Sequence, residues 1–308
     1  MSLKVEVLSL SGDTVRFLLH GCDVALANAL RRTMTTGVPC MAIDDIFIFD
    51  NSSVLPDEVL AHRIGFIPLE TDLDSYVLPE RCECRSDLGC SLCRVVLTLD
   101  VEAEGERRVV YSGDLASEDP RIVPRSPGIP LVKLAQGQAV KLEAYARLGV
   151  GEAHSKWQPV SMCVYQNVAE IEIDRERCTA CARCVEACPR GVLAVDEDGL
   201  KVTYLYACTL CGGCAEACPE EPPAIVQRMR DDAFLFTVES TGCLPPERIV
   251  AEAAKILLGK LDELSGKVER GETAEEIEDF EAAEEVGRRL YSVGWGDYEE
   301  EEEGEGEE

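Results

Sequence analysis

No stretch of about 18 apolar residues occurs in this 308-residue chain, so no segment reads as a membrane-spanning helix. Basic residues are scarce, 30 Lys and Arg against 59 Asp and Glu, for a formal charge of −29. A deficit of that size repels a phosphate backbone and releases no counterions, so the whole chain is not a nucleic-acid grip. A local basic patch or a basic partner stays compatible with it. Histidine is rarer still, at three residues, and His20, His62 and His154 form no metalloprotease helix motif. There is no phosphate-cradling glycine loop, no dinucleotide fingerprint after a strand, and no spaced acidic triplet of the two-metal type. The chain therefore offers no self-contained active site. Lys4, Glu6, Asp13 and Arg16 interrupt the first 21 residues, which lack the apolar core of a secretion signal. A cytoplasmic location is expected, where thiols stay reduced.

Cysteine is abundant by contrast, with 16 residues, eight of them between Cys178 and Cys218. Cys178-x-x-Cys181-x-x-Cys184-x-x-x-Cys188-Pro189 is followed by Cys208-x-x-Cys211-x-x-Cys214-x-x-x-Cys218-Pro219, each cysteine repeating 30 residues later. Two-residue gaps let three thiolates of one loop reach one small inorganic cube, while the fourth cysteine of each run serves the other cube. Cys178, Cys181, Cys184 and Cys218 are thus expected to hold one [4Fe-4S] cluster, and Cys208, Cys211, Cys214 and Cys188 a second. Two zinc sites or free thiols are the competing reading. Cys82-x-Cys84-x5-Cys90-x-x-Cys93 can close a tetrahedral site, with zinc the expected metal and a reduced, metal-free loop the alternative. Cys22, Cys40, Cys163 and Cys243 read as small buried hydrophobes.

The length suggests about two domains. Leu3–Val7 and Thr14–Leu19 flank Ser11-Gly12-Asp13 as a hairpin. Asp23 is placed to cap a helix with Leu26, Leu30 and Met34 on one face, ending at Gly37 and Pro39. Ile43–Phe49 reads as a strand and Pro56–Ile64 as a helix carrying Asp57, Glu58, His62 and Arg63. Arg94–Ala103, Arg107–Ser112 and Val140–Val150 are strand-like, with a proline-rich loop over 120–130. Short strands are expected at 192–195 and 224–226, and a further one at Ala233–Glu239. Pro245 and Pro246 open a long helix whose apolar stripe runs Ile249, Ala253, Ile256, Leu257, Leu261 and Leu264; it needs either this chain's own sheet or another subunit to cover it. Thr273-Ala274-Glu275-Glu276 resembles a capping box for a last helix with Ile277, Phe280 and Leu290, and eight glutamates within the last ten residues predict a disordered tail.

Several segments resemble one family in order along the chain. Leu26-Ala27-Asn28-Ala29-Leu30-Arg31-Arg32, Gly37-Val38-Pro39, Ala42-Ile43-Asp44 and the run from Asn51 through Pro56-Asp57-Glu58 and His62-Arg63 to Leu69 are similar to the α-like subunits of cellular RNA polymerases. His154-Ser155-Lys156-Trp157-Gln158-Pro159-Val160 and Phe236-Thr237-Val238-Glu239-Ser240-Thr241-Gly242 resemble the archaeal and eukaryotic branch. Together with an inserted two-cluster ferredoxin-like module, the whole looks like the larger α-like subunit of archaeal DNA-directed RNA polymerases. The resemblance implies an α+β fold: a discontinuous dimerisation domain at 1–45 and 226–265, a β-rich insert domain at 46–167 with the zinc-type loop, and a ferredoxin-like domain at 168–225. A helical extension at 266–297 and an acidic tail at 298–308 match nothing in the family. It also implies a non-catalytic assembly role: pairing with the small α-like subunit, subunit L, then docking of subunits N and P and the large catalytic subunits. Asn28, Arg31 and Arg32 would meet partners, and the segment with Asp57, Glu58, His62 and Arg63 would brace a large subunit. The cysteine runs alone would equally suit an electron-transfer subunit of an oxidoreductase. The segment 174–223 has few large aliphatic residues, so its clusters are expected to be structural, and their oxidation to weaken assembly.

Overall fold

The computed structural model describes residues 3–86 and 89–271. The expected capping box, last helix and glutamate tail lie outside the described residues. The chain divides into two units, Met1–Leu257 and Leu258–Glu308.

In the first unit, β1 (Lys4–Ser11) and β2 (Thr14–His20) form the expected hairpin. Helix α1 (Val24–Arg32) follows, then β3 (Cys40–Asn51) and α2 (Asp57–Gly65). The insert region continues with β4 (Arg94–Glu102), β5 (Arg108–Tyr111), β6 (Ala116–Ser117), β7 (Pro130–Leu134) and β8 (Ala139–Gly149). Then come β9 (Val160–Ile173), α3 (Arg183–Glu186), β10 (Leu193–Asp196), β11 (Gly199–Val202), α4 (Gly213–Glu216) and β12 (Ile225–Ser240). Helix α5 spans Pro246–Arg270.

Two four-stranded sheets organise this unit, ordered β1-β2-β12-β9 and β3-β8-β4-β6. In the first sheet, register places Val5 opposite Leu19, Val7 opposite Phe17 and Phe17 opposite Phe236, so all share one face. Phe17 and Phe236 stack at 5.0 Å between ring centroids, and Tyr165 meets Phe234 edge-on at 5.5 Å. Ala27 and Leu30 of α1, Met34, Trp157, and Ile249 and Ala253 of α5 close over that face. The second sheet packs Leu97, Leu99, Leu142 and Ala144 against Leu60 and Ile64 of α2.

Strands β9 and β12 are long because they serve two regions. They pair from Ser240 opposite Val160 to Ile225 opposite Ile173, with a register shift between Met229 and Phe234. The expected short strands at 224–226 and 233–239 are one strand, and the domain limits at 167/168 and 225/226 fall within or at the end of this continuous ladder.

Asp23 caps α1 as expected, its carboxylate accepting from the Leu26 N–H at 2.9 Å. Asp23→Ala is expected to cost about 1 kcal/mol in chemical denaturation of the metal-loaded chain; an unchanged midpoint would contradict the cap. The helical face differs from expectation: Leu26 is 40% exposed, and Ala27 takes the buried position beside Leu30 and Met34.

Candidate metal centres and assembly face

The loop that precedes β4 brings Cys82, Cys84, Cys90 and Cys93 together. Sulfur separations are 3.6 Å for Cys82–Cys90, and 3.8 Å for both Cys84–Cys93 and Cys90–Cys93. Four sulfurs on a tetrahedron around zinc at about 2.3 Å sit about 3.8 Å apart, so the cage already has the size of that ion. Gly89 has φ +73°, and a β-carbon there would lie 3.2 Å from Cys93 Sγ, so glycine lets the chain fold back on the site. The Leu92 backbone N–H holds the Cys90 thiol down to about 7, while burial pushes Cys93 up to about 12. A bound cation would favour the thiolate form of both Cys90 and Cys93 despite their unequal acidity. One zinc per chain should therefore be released when the thiols are titrated with a mercurial and followed with a chromogenic chelator; a zinc-free chain with reactive Cys84 would contradict the site.

The eight-cysteine segment forms two cavities, and their linings cross the repeat. Cys178, Cys181, Cys184 and Cys218 line one. Cys188, Cys208, Cys211 and Cys214 line the other. The backbone repeats with the sequence: Ala180, Ala182, Leu210 and Gly212 all have left-handed φ, from 52° to 87°. α3 and α4 then follow at the same 30-residue offset. Non-glycine residues with such φ are uncommon, and they are held only where the surroundings dictate the loop. Burial pushes the Cys184 and Cys214 thiols up.

Among the described residues, Cys82, Cys84, Cys90 and Cys93 form a group of four potential ligands whose donor atoms all lie within 4.8 Å of one another.

The polar residues singled out in the sequence lie on two helices. On α1, Asn28 Oδ1 accepts from Arg31 Nε and Nη2 at 3.2 and 3.0 Å, and Arg32 is exposed. On α2, Asp57 accepts from Asn51 Nδ2 at 2.7 Å and Arg63 donates to the Pro130 carbonyl at 2.7 Å, while Glu58 and His62 are exposed. The His62 ring is tilted against Phe66 at 5.0 Å between centroids, and Phe66 against His154 at 5.6 Å, so the segments Asn51–Leu69 and His154–Val160 meet in space. Burial and the Lys156 ammonium hold His154 below the usual histidine range.

Sequence reasoning missed what anchors this junction. Asp44, at a bulge in β3, accepts from both Lys156 and Arg147. Lys156 also lies 4.3 Å from the Trp157 ring centroid, and Trp157 Nε1 donates to the Arg147 carbonyl at 3.2 Å. A β-carbon on Gly149 would fall 2.4 Å from the Trp157 ring, so only glycine admits this approach. Cys40 and Cys243, read as small buried hydrophobes, both lie in the core of the first sheet, where the neighbouring Cys243 and burial push Cys40 well up.

Apolar surface remains uncovered on the first unit. Val5, Val7 and Leu10 of β1 are 55%, 62% and 53% exposed, and they continue the face that α1 and α5 cover elsewhere. Val24 and Leu26 of α1 are exposed as well. In the second unit, Leu258, Leu261, Leu264 and Val268 of α5 are all exposed, so the expected stripe is only half buried by this chain. Among the described residues, no helix is long and apolar enough to cross a membrane.

Comparison with known proteins gives these features a context. A family model described as the RNA polymerase Rpb3/Rpb11 dimerisation domain matches residues 16–261. The chain is 42% identical to DNA-directed RNA polymerase subunit Rpo3 of Archaeoglobus fulgidus, over 87% of this chain and 99% of that protein. It is 36% identical to subunit Rpo3 of Pyrococcus furiosus, over 87% and 98%. It is 36% identical to DNA-directed RNA polymerase II subunit rpb3 of Dictyostelium discoideum, over 87% and 95%. The family match begins in β2, runs past both cysteine-lined cavities and ends within α5; the chain belongs to the RNA polymerase Rpb3/Rpb11 dimerisation-domain family.

Proposed function

We propose that this chain is a non-catalytic assembly subunit of DNA-directed RNA polymerase. Its family membership supports this reading, and so does the apolar surface left open on β1, α1 and the outer part of α5. An amphipathic helix whose stripe is half unpartnered is completed by a second chain. The partner proposed is the small α-like subunit, subunit L, with subunits N and P and the large catalytic subunits docking on the pair. Asn28, Arg31 and Arg32 then sit in the region facing partners, and Asp57, Glu58, His62 and Arg63 on the brace toward a large subunit. Nucleotidyl transfer belongs to those large subunits. The electron-transfer alternative is not favoured, because the family match encloses the cysteine runs on both sides.

The finer reading is the larger archaeal α-like subunit with a two-cluster insert: a dimerisation domain at 1–45 and 226–265, an insert at 46–167, and a ferredoxin-like domain at 168–225. Two [4Fe-4S] clusters on the crossed quartets, and one zinc on Cys82, Cys84, Cys90 and Cys93, are proposed as structural staples. The clusters, when bound, supply a rigid inorganic core; the chain's own residues position the eight sulfurs, with Cys184 and Cys214 buried and Cys181 and Cys211 exposed. Co-expression with the small α-like subunit of the same genome, followed by size exclusion, tests the function. A stable one-to-one complex is expected; a chain that elutes alone beside a folded partner overturns it.

A further inference from the structure

We propose that the two cluster sites are electrostatically unequal, and that the site of Cys188, Cys208, Cys211 and Cys214 takes up an electron before the site of Cys178, Cys181, Cys184 and Cys218. The inference rests on the two-cluster reading and deepens it. Cluster potential depends on hydrogen bonds to the sulfurs, nearby charge and solvent exposure. The structure allows each to be compared across the internal repeat.

Exposure does not distinguish the sites. Cys184 and Cys214 are each 8% exposed, Cys181 and Cys211 are both exposed, and the remaining four are intermediate. Backbone hydrogen bonds to sulfur do not distinguish them either. Ala224 N–H donates to Cys218 Sγ at 3.3 Å at the first site, and Val192 N–H donates to Cys188 Sγ at 3.5 Å at the second.

Side chains break the symmetry. Gln227, on β12, lines the second cavity with its carboxamide 3.3 Å from Cys214 Sγ. A free thiol donates to Gln227 Oε1; a metal-bound sulfur carries no proton, and a half-turn of the amide presents Nε2 as the donor. The first cavity has no such amide: Leu200, Ala224 and Ile225 stand along its wall. The residue after each Cys-Pro pair differs in the same sense. Arg190 lines the second cavity, and its counterpart 30 residues later, Glu220, lines the first. An amide donor and a cation favour the more negative, reduced cube at the second site, while a carboxylate opposes reduction at the first. Arg190 is exposed, so solvent screens its share and Gln227 carries the larger part. A low-potential one-electron donor would then reduce a cube held by Cys188, Cys208, Cys211 and Cys214 first, and one held by Cys178, Cys181, Cys184 and Cys218 only at a lower potential.

The test is an anaerobic redox titration of the full chain with dithionite, followed by electron paramagnetic resonance, with iron and sulfide measured on each sample. Two separate reduction steps are expected. Gln227→Leu should shift the more positive step to lower potential and leave the other in place. Arg190→Glu at an exposed position, combined with Glu220→Arg at a half-buried one, should narrow the gap even if Gln227→Leu loses iron. A single unresolved step, or a Gln227→Leu shift confined to the more negative step, overturns the inequality. A chain that binds no iron or sulfide under these conditions overturns the cluster reading itself, which distinguishes the two failures.

Discussion

Leu261→Asp with Leu264→Asp is expected to weaken capture of the small α-like subunit by at least about 100-fold. The two leucines lie three residues apart, so they share a helix face, and both are more than half exposed. Burying a leucine against a partner contributes about 1.5–3 kcal/mol, and each 1.4 kcal/mol is tenfold in Kd. A carboxylate in that contact adds a desolvation cost that nothing repays. Exposed positions change the stability of the free chain by only about 0.5 kcal/mol, so its melting curve should stay where it is. Isothermal titration against the partner reads the loss. Unchanged affinity with unchanged folding would mean that the apolar stripe serves some other contact.

Cys184→Ser with Cys214→Ser should empty both cubes and unfold the segment between β9 and β12. The buried core of this region consists of Cys184, Leu193, Leu200, Cys214 and Ile225, so two of its five members are proposed cluster ligands. A core that small cannot hold an unmetallated segment, and cluster binding and folding are one free energy. The damage should spread. Leu205 packs onto Leu18, Val168, Ala233 and Leu235 on the sheet face opposite the aromatic one, and Gln166 Nε2 donates to the Tyr206 carbonyl at 3.0 Å. Releasing that turn uncovers the sheet and frays the β9–β12 ladder from Ile173 and Ile225 inward. Hydrogen exchange should show lost protection in β10 and β11, partial loss in outer β9 and β12, and retained protection around Phe17 and Phe236. Oxidative loss of the clusters would then lower assembly through the same ladder. A double variant that keeps native protection in β10 and β11 without iron would remove the structural role.

The sequence carried the local features and hid the long-range ones. The β1–β2 turn and the Asp23 cap are legible because the residues that make them are neighbours. The crossed cysteine quartets are legible because the spacing within each run sets which sulfurs can converge. The single strand β12 is not, because Gln227–Asp232 carries only one apolar residue, Met229: Gln227, Arg228 and Met229 pair with β9, and Arg230–Asp232 fall in the register shift. The inward side of α1 was misplaced because Leu26 and Ala27 fit the period equally, and the close approach of the sheet selects the smaller side chain. Asp44 with Lys156 and Arg147, Tyr76 with Asp119 at 2.6 Å, and Arg121 bridging Asp119 to Asp72 join residues far apart in the chain, where no periodicity reaches. The surroundings of these groups show the effect: partial burial, with the Asp119 carboxylate beside it, pushes the Tyr76 hydroxyl up to about 12.

The proposal of a polymerase pairing subunit with three metal centres is tested most directly by elemental analysis of its complex. The chain should be co-expressed with the small α-like subunit, purified without oxygen as one species, and assayed for iron, acid-labile sulfide and zinc. About eight irons, eight sulfides and one zinc per one-to-one complex are the predicted result. A stable complex with zinc in all three cysteine sites and no sulfide, or a metal-loaded chain that leaves its partner unbound, would contradict it.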